Sequence, residues 1–212
     1  MTAASDARFW DKTARRYAAS AISDMPGYER TLERTRSFLE PGHQVLELGC
    51  GTGTTALHLA GAVAAYTATD ISAQMIAIAE DKLRRDPIAS LNFRVATAEE
   101  MASKGRQFDV VLGFNYLHLV QDPKSTLRAI DRLLKPHGLF ISKTPCVGEM
   151  NLLIRRFLLP AMRAVGKAPH VSVFNARQLM ELIADEGFTV LAKENHASKG
   201  RDFRPFVVAS KP

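Results

Sequence analysis

Residues 45–53 read Val-Leu-Glu-Leu-Gly-Cys-Gly-Thr-Gly, and this segment constrains the fold more than any other. A short apolar run, typical of a buried strand, leads into three glycines at alternating positions, Gly49, Gly51 and Gly53. An alanine- and leucine-rich helix is predicted directly after them. Glycines between a strand and a helix let the backbone approach a ligand without a Cβ in the way. The segment therefore predicts a ligand-binding turn inside a βαβ unit.

The rest of the chain repeats this alternation of strands and helices. Strands are predicted over residues 44–48, 64–69, 92–96, 108–113, 139–142, 188–193 and 206–209, and helices over residues 7–19, 28–39, 54–62, 73–85, 123–134 and 176–186. Alternating strands and helices predict an α/β fold with a doubly wound, mostly parallel sheet. The last two strands have no helix between them, which predicts an antiparallel edge hairpin.

Composition excludes several classes of protein. The chain has 212 residues, which fit one domain, and 46% of them are hydrophobic, so wholesale disorder is not expected. Two cysteines, Cys50 and Cys146, do not make a disulfide framework. No apolar run approaches the length of a signal core or of a membrane span, and we expect a cytoplasmic protein. The net charge of +6 would suit an anionic substrate or surface.

Two carboxylates flank the glycine turn. Glu47 stands two residues before Gly49, and Asp70 ends the second predicted strand 17 residues after Gly53. A carboxylate beside the turn suits a ligand that carries an ammonium and a sulfonium better than it suits a phosphate. A carboxylate at the end of the second strand can accept hydrogen bonds from both hydroxyls of a ribose. The spacing GxGxG also differs from the GxGxxG of dinucleotide-binding folds. This difference argues against the interpretation of the chain as a nicotinamide oxidoreductase.

These residues resemble the first motif of the class I S-adenosylmethionine-dependent methyltransferases, and the likeness extends over about residues 28–142. Residues 108–111 (Phe-Asp-Val-Val) and 134–138 (Leu-Lys-Pro-His-Gly) are similar to later landmarks of that family. The resemblance implies a seven-stranded Rossmann-like sheet with a reversed final strand. It also implies S-adenosyl-L-methionine as cofactor and S-adenosyl-L-homocysteine as product.

The resemblance also implies a set of cofactor-binding positions. They are Tyr17, Glu47, Leu48, Gly49, Cys50, Gly51, Gly53, Asp70, Ile71, Met75, Thr97, Ala98, Phe114 and Asn115. One position departs from the family, because Thr97 stands where an acid usually binds the adenine amine. We expect the Thr97 hydroxyl and the backbone of Ala98 to share that role.

Two residues are candidates for catalysis. Residues 9–17 (Phe-Trp-Asp-Lys-Thr-Ala-Arg-Arg-Tyr) resemble a stretch of the quinone-biosynthesis and lipid-headgroup branches, in which the tyrosine lies near the methyl group. Tyr17 is therefore expected at the reaction centre, although Trp10 and Tyr17 could simply pack the helix. His118 is either a general base or a structural histidine. Tyr116 and His170 are no stronger candidates, and a neutral amine or soft nucleophile needs no base.

The segment between the fifth strand and the last helix is longer than a crossover requires. Within residues 151–167, Arg155, Arg156, Arg163 and Lys167 fall on one helical arc, and apolar residues fall opposite. Pro160 predicts a break or kink near residue 159. The segment is a surface helix, an active-site cover that lines an apolar substrate chamber, or a contact with an anionic membrane surface.

Together these features predict one domain over residues 1–212. A helical lid occupies residues 1–40, the cofactor-binding core 41–144, a substrate-cover insertion 145–175, and the final helix and edge strands 176–212. The expected function is methyl transfer to a small, apolar or amphiphilic metabolite. A lipid-headgroup or RNA methyltransferase and a non-catalytic regulatory module are alternatives.

Neither nucleic acid nor a metal is expected to take part. Residues 113–119 lack the prolines of enzymes that methylate base amines, and the basic residues form no patch interleaved with aromatics. The six histidines show no zinc-type spacing. The oligomeric state has no signal in the sequence.

Overall fold

A computed structural model describes residues 3–149, 170–200 and 203–212. In this part of the chain, seven strands form one sheet in the order β3-β2-β1-β4-β5-β7-β6. The strands are Gln44–Leu48 (β1), Ala65–Asp70 (β2), Leu91–Val95 (β3), Phe108–Phe114 (β4), Leu134–Lys143 (β5), Thr189–Glu194 (β6) and Phe206–Ser210 (β7). Strands β1 to β5 pair in parallel, and β7 runs antiparallel to both β5 and β6.

Helices cover both faces of the sheet. They are Ala3–Ala18 (α1), Met25–Arg36 (α2), Thr54–Leu59 (α3), Ala73–Arg85 (α4), Ala98–Ala102 (α5), Pro123–Leu133 (α6) and Ala176–Asp185 (α7). Apolar residues of α5, α6 and α7 pack on one face, and those of α2, α3 and α4 pack on the other. The central strands are buried from both sides, which explains their near-continuous apolar sequences.

Local sequence sets where the helices begin. Asp122 caps α6 by accepting the Ser125 N–H at 3.0 Å, and Pro123 occupies the first turn, where its missing N–H costs nothing. Ser72 caps α4 in the same way by accepting the Met75 N–H at 3.1 Å. The cap at Ser72 fixes the start of α4 directly after Asp70, at the carboxyl edge of the sheet.

The predicted doubly wound sheet and its antiparallel edge hairpin are confirmed. Within the sheet, β7 of this hairpin lies between β5 and β6 and pairs with both. Several local predictions were wrong in detail. The helix predicted over residues 7–19 spans Ala3–Ala18, and the helix predicted over residues 28–39 spans Met25–Arg36. The helix predicted over 54–62 ends at Leu59 and continues as a 3₁₀ turn, β5 begins at Leu134 instead of 139, and α5 was not predicted at all.

The predicted amphipathic insertion, residues 151–167, lies outside the described residues. Among those that are described, no helix has both the length and the apolar character that crossing a bilayer requires.

Candidate active site

The glycine turn joins β1 to α3 with three left-handed glycines. Gly49, Gly51 and Gly53 have φ angles of +68°, +54° and +76°, which other residues rarely adopt. At Gly53 an added Cβ would lie 2.6 Å from Phe93 Cζ, so this glycine allows α3 to pack on the sheet. At Gly51 the nearest atom would be Tyr17 Cε1 at 3.5 Å, on the open side of the turn. The two glycines therefore serve different purposes.

Asp70 holds this turn from the end of β2. Its Oδ2 accepts the Gly51 N–H at 2.9 Å, and its Oδ1 accepts the Ser72 N–H at 2.9 Å. Burial raises the pKa of Asp70, the negative charge of Asp11 adds to the increase, and the backbone hydrogen bonds oppose it. A carboxylate offers about four acceptor sites, so Asp70 can still accept hydrogen bonds from a ligand.

Glu47 is the second carboxylate of the site and is only 3% exposed. The Tyr66 hydroxyl donates to its Oε2 at 2.8 Å. Burial raises the pKa of Glu47 to about 7, with a smaller contribution from the charge of Asp70. Within the described residues, no lysine, arginine or histidine forms an ion pair with it. An acid in this environment favours a cationic ligand, because a positive charge would offset the cost of ionising it.

Lys82 supports the turn from α4 in a way that the sequence did not reveal. Its Nζ donates to the Thr52 carbonyl at 2.8 Å and to the Thr54 hydroxyl at 3.2 Å. Burial lowers the pKa of Lys82. A lysine in the third turn of an amphipathic helix carries no local signal of this contact, which only the packing of α4 against the turn creates.

Helix α1 docks over the same edge of the sheet, where the lid was expected. Asp11 Oδ1 accepts the Ser72 hydroxyl at 2.6 Å and the Gln74 N–H at 3.1 Å, which ties α1 to the start of α4. The Trp10 and Tyr17 rings meet edge to face, with centroids 6.3 Å apart. Half of the Tyr17 side chain is exposed, yet its hydroxyl end lies over the turn. Burial, followed by the charges of Asp70 and Glu47, raises the pKa of Tyr17.

Two cavities open at the carboxyl edge of the sheet. The larger has a volume of about 540 Å³ and includes Asp70, and the smaller has a volume of about 320 Å³ and includes Glu47. Both are lined by the same four residues, Tyr17, Gly49, Phe114 and Asn115. We call these four residues the junction. The cavities are adjoining halves of one site. The half-buried Asp70 lines the larger half, and the buried Glu47 lines the smaller half.

Most of the predicted cofactor residues line these cavities. Besides the junction, the larger cavity is lined by Gly51, Asp70, Ile71, Met75 and Thr97, and the smaller by Glu47 and Cys50. Three predicted residues line neither cavity. The side chains of Leu48 and Ala98 are buried in the core, and Gly53 packs against Phe93.

Thr97 makes a structural contact that the sequence analysis did not predict. Its hydroxyl caps α5 by accepting the Glu100 N–H at 3.1 Å, and Glu100 Oε2 accepts the Thr97 N–H at 2.8 Å. The backbone of Ala98 hydrogen-bonds the Tyr116 side chain, and burial raises the pKa of that phenol. The Thr97 oxygen has one lone pair left for a ligand. The capping-box motif Thr-x-x-Glu is present in the sequence and predicts the start of α5.

His118 lines only the larger cavity. Its Nδ1 lies 2.9 Å from Thr144 Oγ1, and burial lowers its pKa from 6.5 to about 4. The imidazole is therefore neutral at pH 7. His170 lines neither cavity and lies 3.2 Å, through Nε2, from Ser172 Oγ. Over the described ranges, no group of histidine, cysteine and acidic side chains has the arrangement of a metal site.

A glycine turn after β1, a carboxylate at the end of β2 and a reversed last strand define the class of Rossmann-like nucleoside-binding folds found in methyltransferases. A family model described as "Methyltransferase domain" matches residues 10–193. The chain belongs to this methyltransferase domain family.

Comparison with curated proteins finds relatives over part of the chain. The chain is 35% identical over 117 residues to a ubiquinone biosynthesis O-methyltransferase of Ruegeria pomeroyi. The match covers 55% of this chain and 46% of the relative, so the chain spans about half the length of the curated proteins it matches.

Solved structures share the fold over nearly the whole chain. A chain from the Haloferax volcanii complex between the Trm112 methyltransferase activator and a methyltransferase has a TM-score of 0.78 at 18% identity, covering 98% of this chain and 97% of that one. Magnesium protoporphyrin IX methyltransferase of Synechocystis PCC 6803 with bound S-adenosylhomocysteine has a TM-score of 0.70 at 16% identity, with 97% coverage of both chains.

Proposed function

We propose that this protein transfers a methyl group from S-adenosylmethionine to a small-molecule acceptor. The single observation that carries the proposal is the pair of adjoining cavities that share the junction residues beside the glycine turn, with Asp70 lining the larger cavity and the buried Glu47 lining the smaller one. Family membership and the relatives named as O-methyltransferases support it. When bound, S-adenosylmethionine supplies an electrophilic methyl group on a sulfonium centre.

The residues of the site fit this cofactor. Asp70 has acceptor capacity left for ribose hydroxyls, and Ile71 and Met75 offer an apolar lining for the adenine in the larger cavity. Glu47 in the smaller cavity would pair with the ammonium of the methionyl end, which also explains why so buried an acid has no basic partner in the described residues. Both carboxylates oppose a phosphate and favour a cation.

The chain's contribution to the reaction is positioning and the exclusion of water. The junction residues Tyr17, Phe114 and Asn115 line both cavities, and Tyr17 belongs to α1. Holding two reactants in an attack geometry is worth about 7–11 kcal/mol in well-oriented systems. Tyr17 is the better placed of the two predicted catalytic residues, because it lines both cavities, whereas His118 lines the nucleoside half alone. We assign Tyr17 a positioning role.

Thermal melting combined with a transfer assay tests the proposal. S-adenosylhomocysteine at 100 times its Kd should stabilise the protein by about 2.7 kcal/mol, which raises Tm by roughly 5–10 °C, and NAD should have no effect. Methyl-labelled S-adenosylmethionine should then label the small-molecule fraction of a cell extract. Stabilisation by NAD alone contradicts the proposal. Label found only in RNA or in lipid favours those alternatives, and binding without transfer favours a regulatory module.

A further inference from the structure

The side chain of His118 is held against a buried hydroxyl group. Thr144 directly follows β5 and is fully buried, and its Oγ1 accepts the backbone N–H of His118 at 3.2 Å. The same Oγ1 lies 2.9 Å from His118 Nδ1. In the described part of the chain, neither of these two side chains has a further hydrogen-bond partner. The donors and acceptors of the pair can therefore be counted.

This count assigns the proton of the imidazole to one nitrogen. Burial lowers the pKa of His118 to about 4, so the ring is neutral at pH 7 and has one N–H donor and one acceptor nitrogen. The Thr144 hydroxyl has one proton, and His118 Nδ1 is the acceptor within its reach among the described residues. An Nδ1–H group that donated to Oγ1 would leave the buried hydroxyl proton unpaired, which costs free energy. Thr144 therefore donates to Nδ1, and the ring proton lies on Nε2.

The Nε2 side of the ring borders the larger cavity. His118 is partly exposed and lines this cavity, whereas the fully buried Thr144 lines neither of the two cavities. Because the Nδ1 side of the ring is turned towards Thr144, the part of the ring that lines the cavity is the side with Nε2. Among the described residues, no group accepts a hydrogen bond from the Nε2–H. This donor is available to a ligand, and the contact with Thr144 orients it before a ligand arrives.

The strand order separates this donor from the proposed nucleoside position. Asp70 ends β2, whereas Thr144, which holds the His118 ring, follows β5. In the order β2-β1-β4-β5 these two strand ends are three strand spacings apart, which is roughly 14 Å. Phe114, a junction residue, ends β4, which lies between them. With the ribose at Asp70 and the methyl group at the junction, His118 borders a part of the larger cavity that the nucleoside does not need.

The charges of the larger cavity limit the class of molecule that this donor can bind. Within the described residues, no lysine or arginine lines this cavity, and four acidic side chains do: Asp6, Asp70, Glu99 and Asp122. Their negative charges oppose an anionic acceptor. An Nε2–H donor cannot accept a hydrogen bond from an ammonium group. Leu119 and Val120, which directly follow His118, add apolar surface to the lining. These surroundings suit an uncharged, largely apolar molecule with an oxygen acceptor.

We infer that the Nε2–H group of His118 donates a hydrogen bond to a hydroxyl or carbonyl oxygen of the methyl acceptor, and that this acceptor is an uncharged, largely apolar molecule. The inference rests on the proposed function, because it takes the junction as the place where the methyl group is presented. His118 orients the acceptor as a donor and does not serve as a general base, because the ring nitrogen on the cavity side already carries a proton.

Nitrogen NMR tests the assignment of the proton without any substitution in the protein that is measured. In wild-type protein labelled with ¹⁵N-histidine and saturated with S-adenosylhomocysteine, His118 should show a protonated Nε2 and an unprotonated Nδ1 at pH 7. The signals are assigned by their absence from His118→Gln. A protonated Nδ1 would overturn the inference, because Nε2 would then accept hydrogen bonds and not donate them.

Binding of two matched probes tests the hydrogen bond itself. Acetophenone and α-methylstyrene have nearly the same shape, and only the ketone has an oxygen acceptor; each is titrated by NMR into protein saturated with S-adenosylhomocysteine. His118→Phe keeps a flat ring without the donor, so it should weaken binding of acetophenone by about 2- to 10-fold and leave that of α-methylstyrene unchanged. His118→Gln should keep most of the affinity for the ketone, because its amide N–H can replace Nε2–H. His58→Phe, at an exposed position of α3 that lines neither cavity, is the matched control and should change neither Kd.

The outcomes separate this inference from the proposed function. Failure of acetophenone to bind the wild-type protein, or equal effects of His118→Phe on the two probes, overturns the inference alone. A loss of S-adenosylhomocysteine affinity in His118→Phe, with the affinity for the ketone kept, shows that the ring contacts the nucleoside and also overturns it. Failure of S-adenosylhomocysteine to bind the wild-type protein overturns the proposed function and this inference together. If His118→Phe does not fold, a nuclear Overhauser effect between the Nε2–H proton of the wild-type protein and the methyl protons of acetophenone decides the same question, and its absence overturns the inference.

Discussion

The backbone N–H of Gly51 donates a hydrogen bond of 2.9 Å to Asp70 Oδ2, so the end of β2 holds the glycine turn that follows β1. The same carboxylate lines the larger cavity. One side chain thus shapes the turn and presents acceptors to a ligand. This double use explains why a partly buried acid with a raised pKa stands at a strand end, where an uncharged cap would cost less.

Asp70→Ala should weaken binding of S-adenosylhomocysteine by roughly 1–3 kcal/mol, because it removes charge-assisted hydrogen bonds to the ribose and loosens the turn. Isothermal titration calorimetry measures the change as an increase in Kd of about 5- to 150-fold. Asp86→Ala, at the exposed end of α4, is the control. An unchanged Kd in Asp70→Ala would show that the carboxylate does not face the ribose.

Glu47 predicts a pH dependence of stability with a definite sign. Its folded-state pKa of about 7 lies above the ordinary value of 4.5, so the folded protein retains a proton that the unfolded chain releases between these pH values. Stability from this group is full below pH 4.5 and is lost as the pH rises toward 7, by roughly 3 kcal/mol in total.

Glu47→Gln should remove that loss. Unfolding by urea, without ligand, should be measured at several pH values from 4.5 to 7.5. The free energy of unfolding of the variant should increase relative to that of the wild-type protein as the pH rises. Comparison of the two proteins cancels the contribution of titrating groups that do not interact with Glu47. A constant difference across this range would contradict the raised pKa. With S-adenosylhomocysteine bound at pH 7, the wild-type protein should become more stable than the variant, since only the ionised glutamate can pair with the ammonium of the ligand.

Substitutions in the turn should separate folding from binding. Gly53→Ala places a Cβ 2.6 Å from Phe93 and 2.8 Å from Ala79, so it should destabilise the fold by about 2–4 kcal/mol. Gly51→Ala meets no atom closer than 3.5 Å and should cost only about 1 kcal/mol of stability, while it narrows the cavity and weakens cofactor binding.

Gly105→Ala is the control for this pair, because Gly105 has a φ of +68° and no neighbour within 4 Å of an added Cβ. Urea unfolding of the three variants gives the free energy of unfolding, and calorimetry gives the Kd for the cofactor product. Equal losses of stability in Gly51→Ala and Gly53→Ala would refute the division of roles between the two glycines.

His118 should titrate far below the ordinary histidine value of 6.5. Burial lowers its pKa from 6.5 to about 4, so the folded protein binds fewer protons than the unfolded chain between these values, and stability from this group falls as the pH drops through that window. A ¹³C-histidine NMR titration, assigned with His118→Gln, should place its midpoint near 4. A midpoint above 6 would mean that the ring is open to solvent and able to act as a base of ordinary strength.

The fold was predictable from the sequence because its periodicities agree with its turns. Each pattern is typical of a single kind of element: the apolar runs of β1 and β4 are typical of buried strands, and the amphipathic stripe of α6 is typical of a helix. Helix α5 was missed because it has five residues, which are too few for a periodic pattern. The capping box formed by Thr97 and Glu100 is the sequence feature that indicates it.

The site was predictable in its backbone and less so in its side chains. A glycine turn after a strand and an acid at a strand end have local signatures, which is why the sequence predicted Gly51 and Asp70 as residues of one site. Lys82 acts through a contact between elements distant in sequence, and a lysine that contacts a loop has the same sequence pattern as a solvated lysine. Leu48 was assigned to the cofactor by motif position, and its side chain is buried in the core. Ala98 was predicted to contribute its backbone, which stays a prediction.

The crystal structure of the protein with S-adenosylhomocysteine tests the central claim most directly. We predict the ribose hydroxyls within hydrogen-bonding distance of Asp70, the adenine in the larger cavity, the ammonium beside Glu47, and the sulfur at the junction between Tyr17 and Asn115. A complex in which the nucleoside lies outside the larger cavity, or in which Glu47 faces no positive charge, would contradict the account.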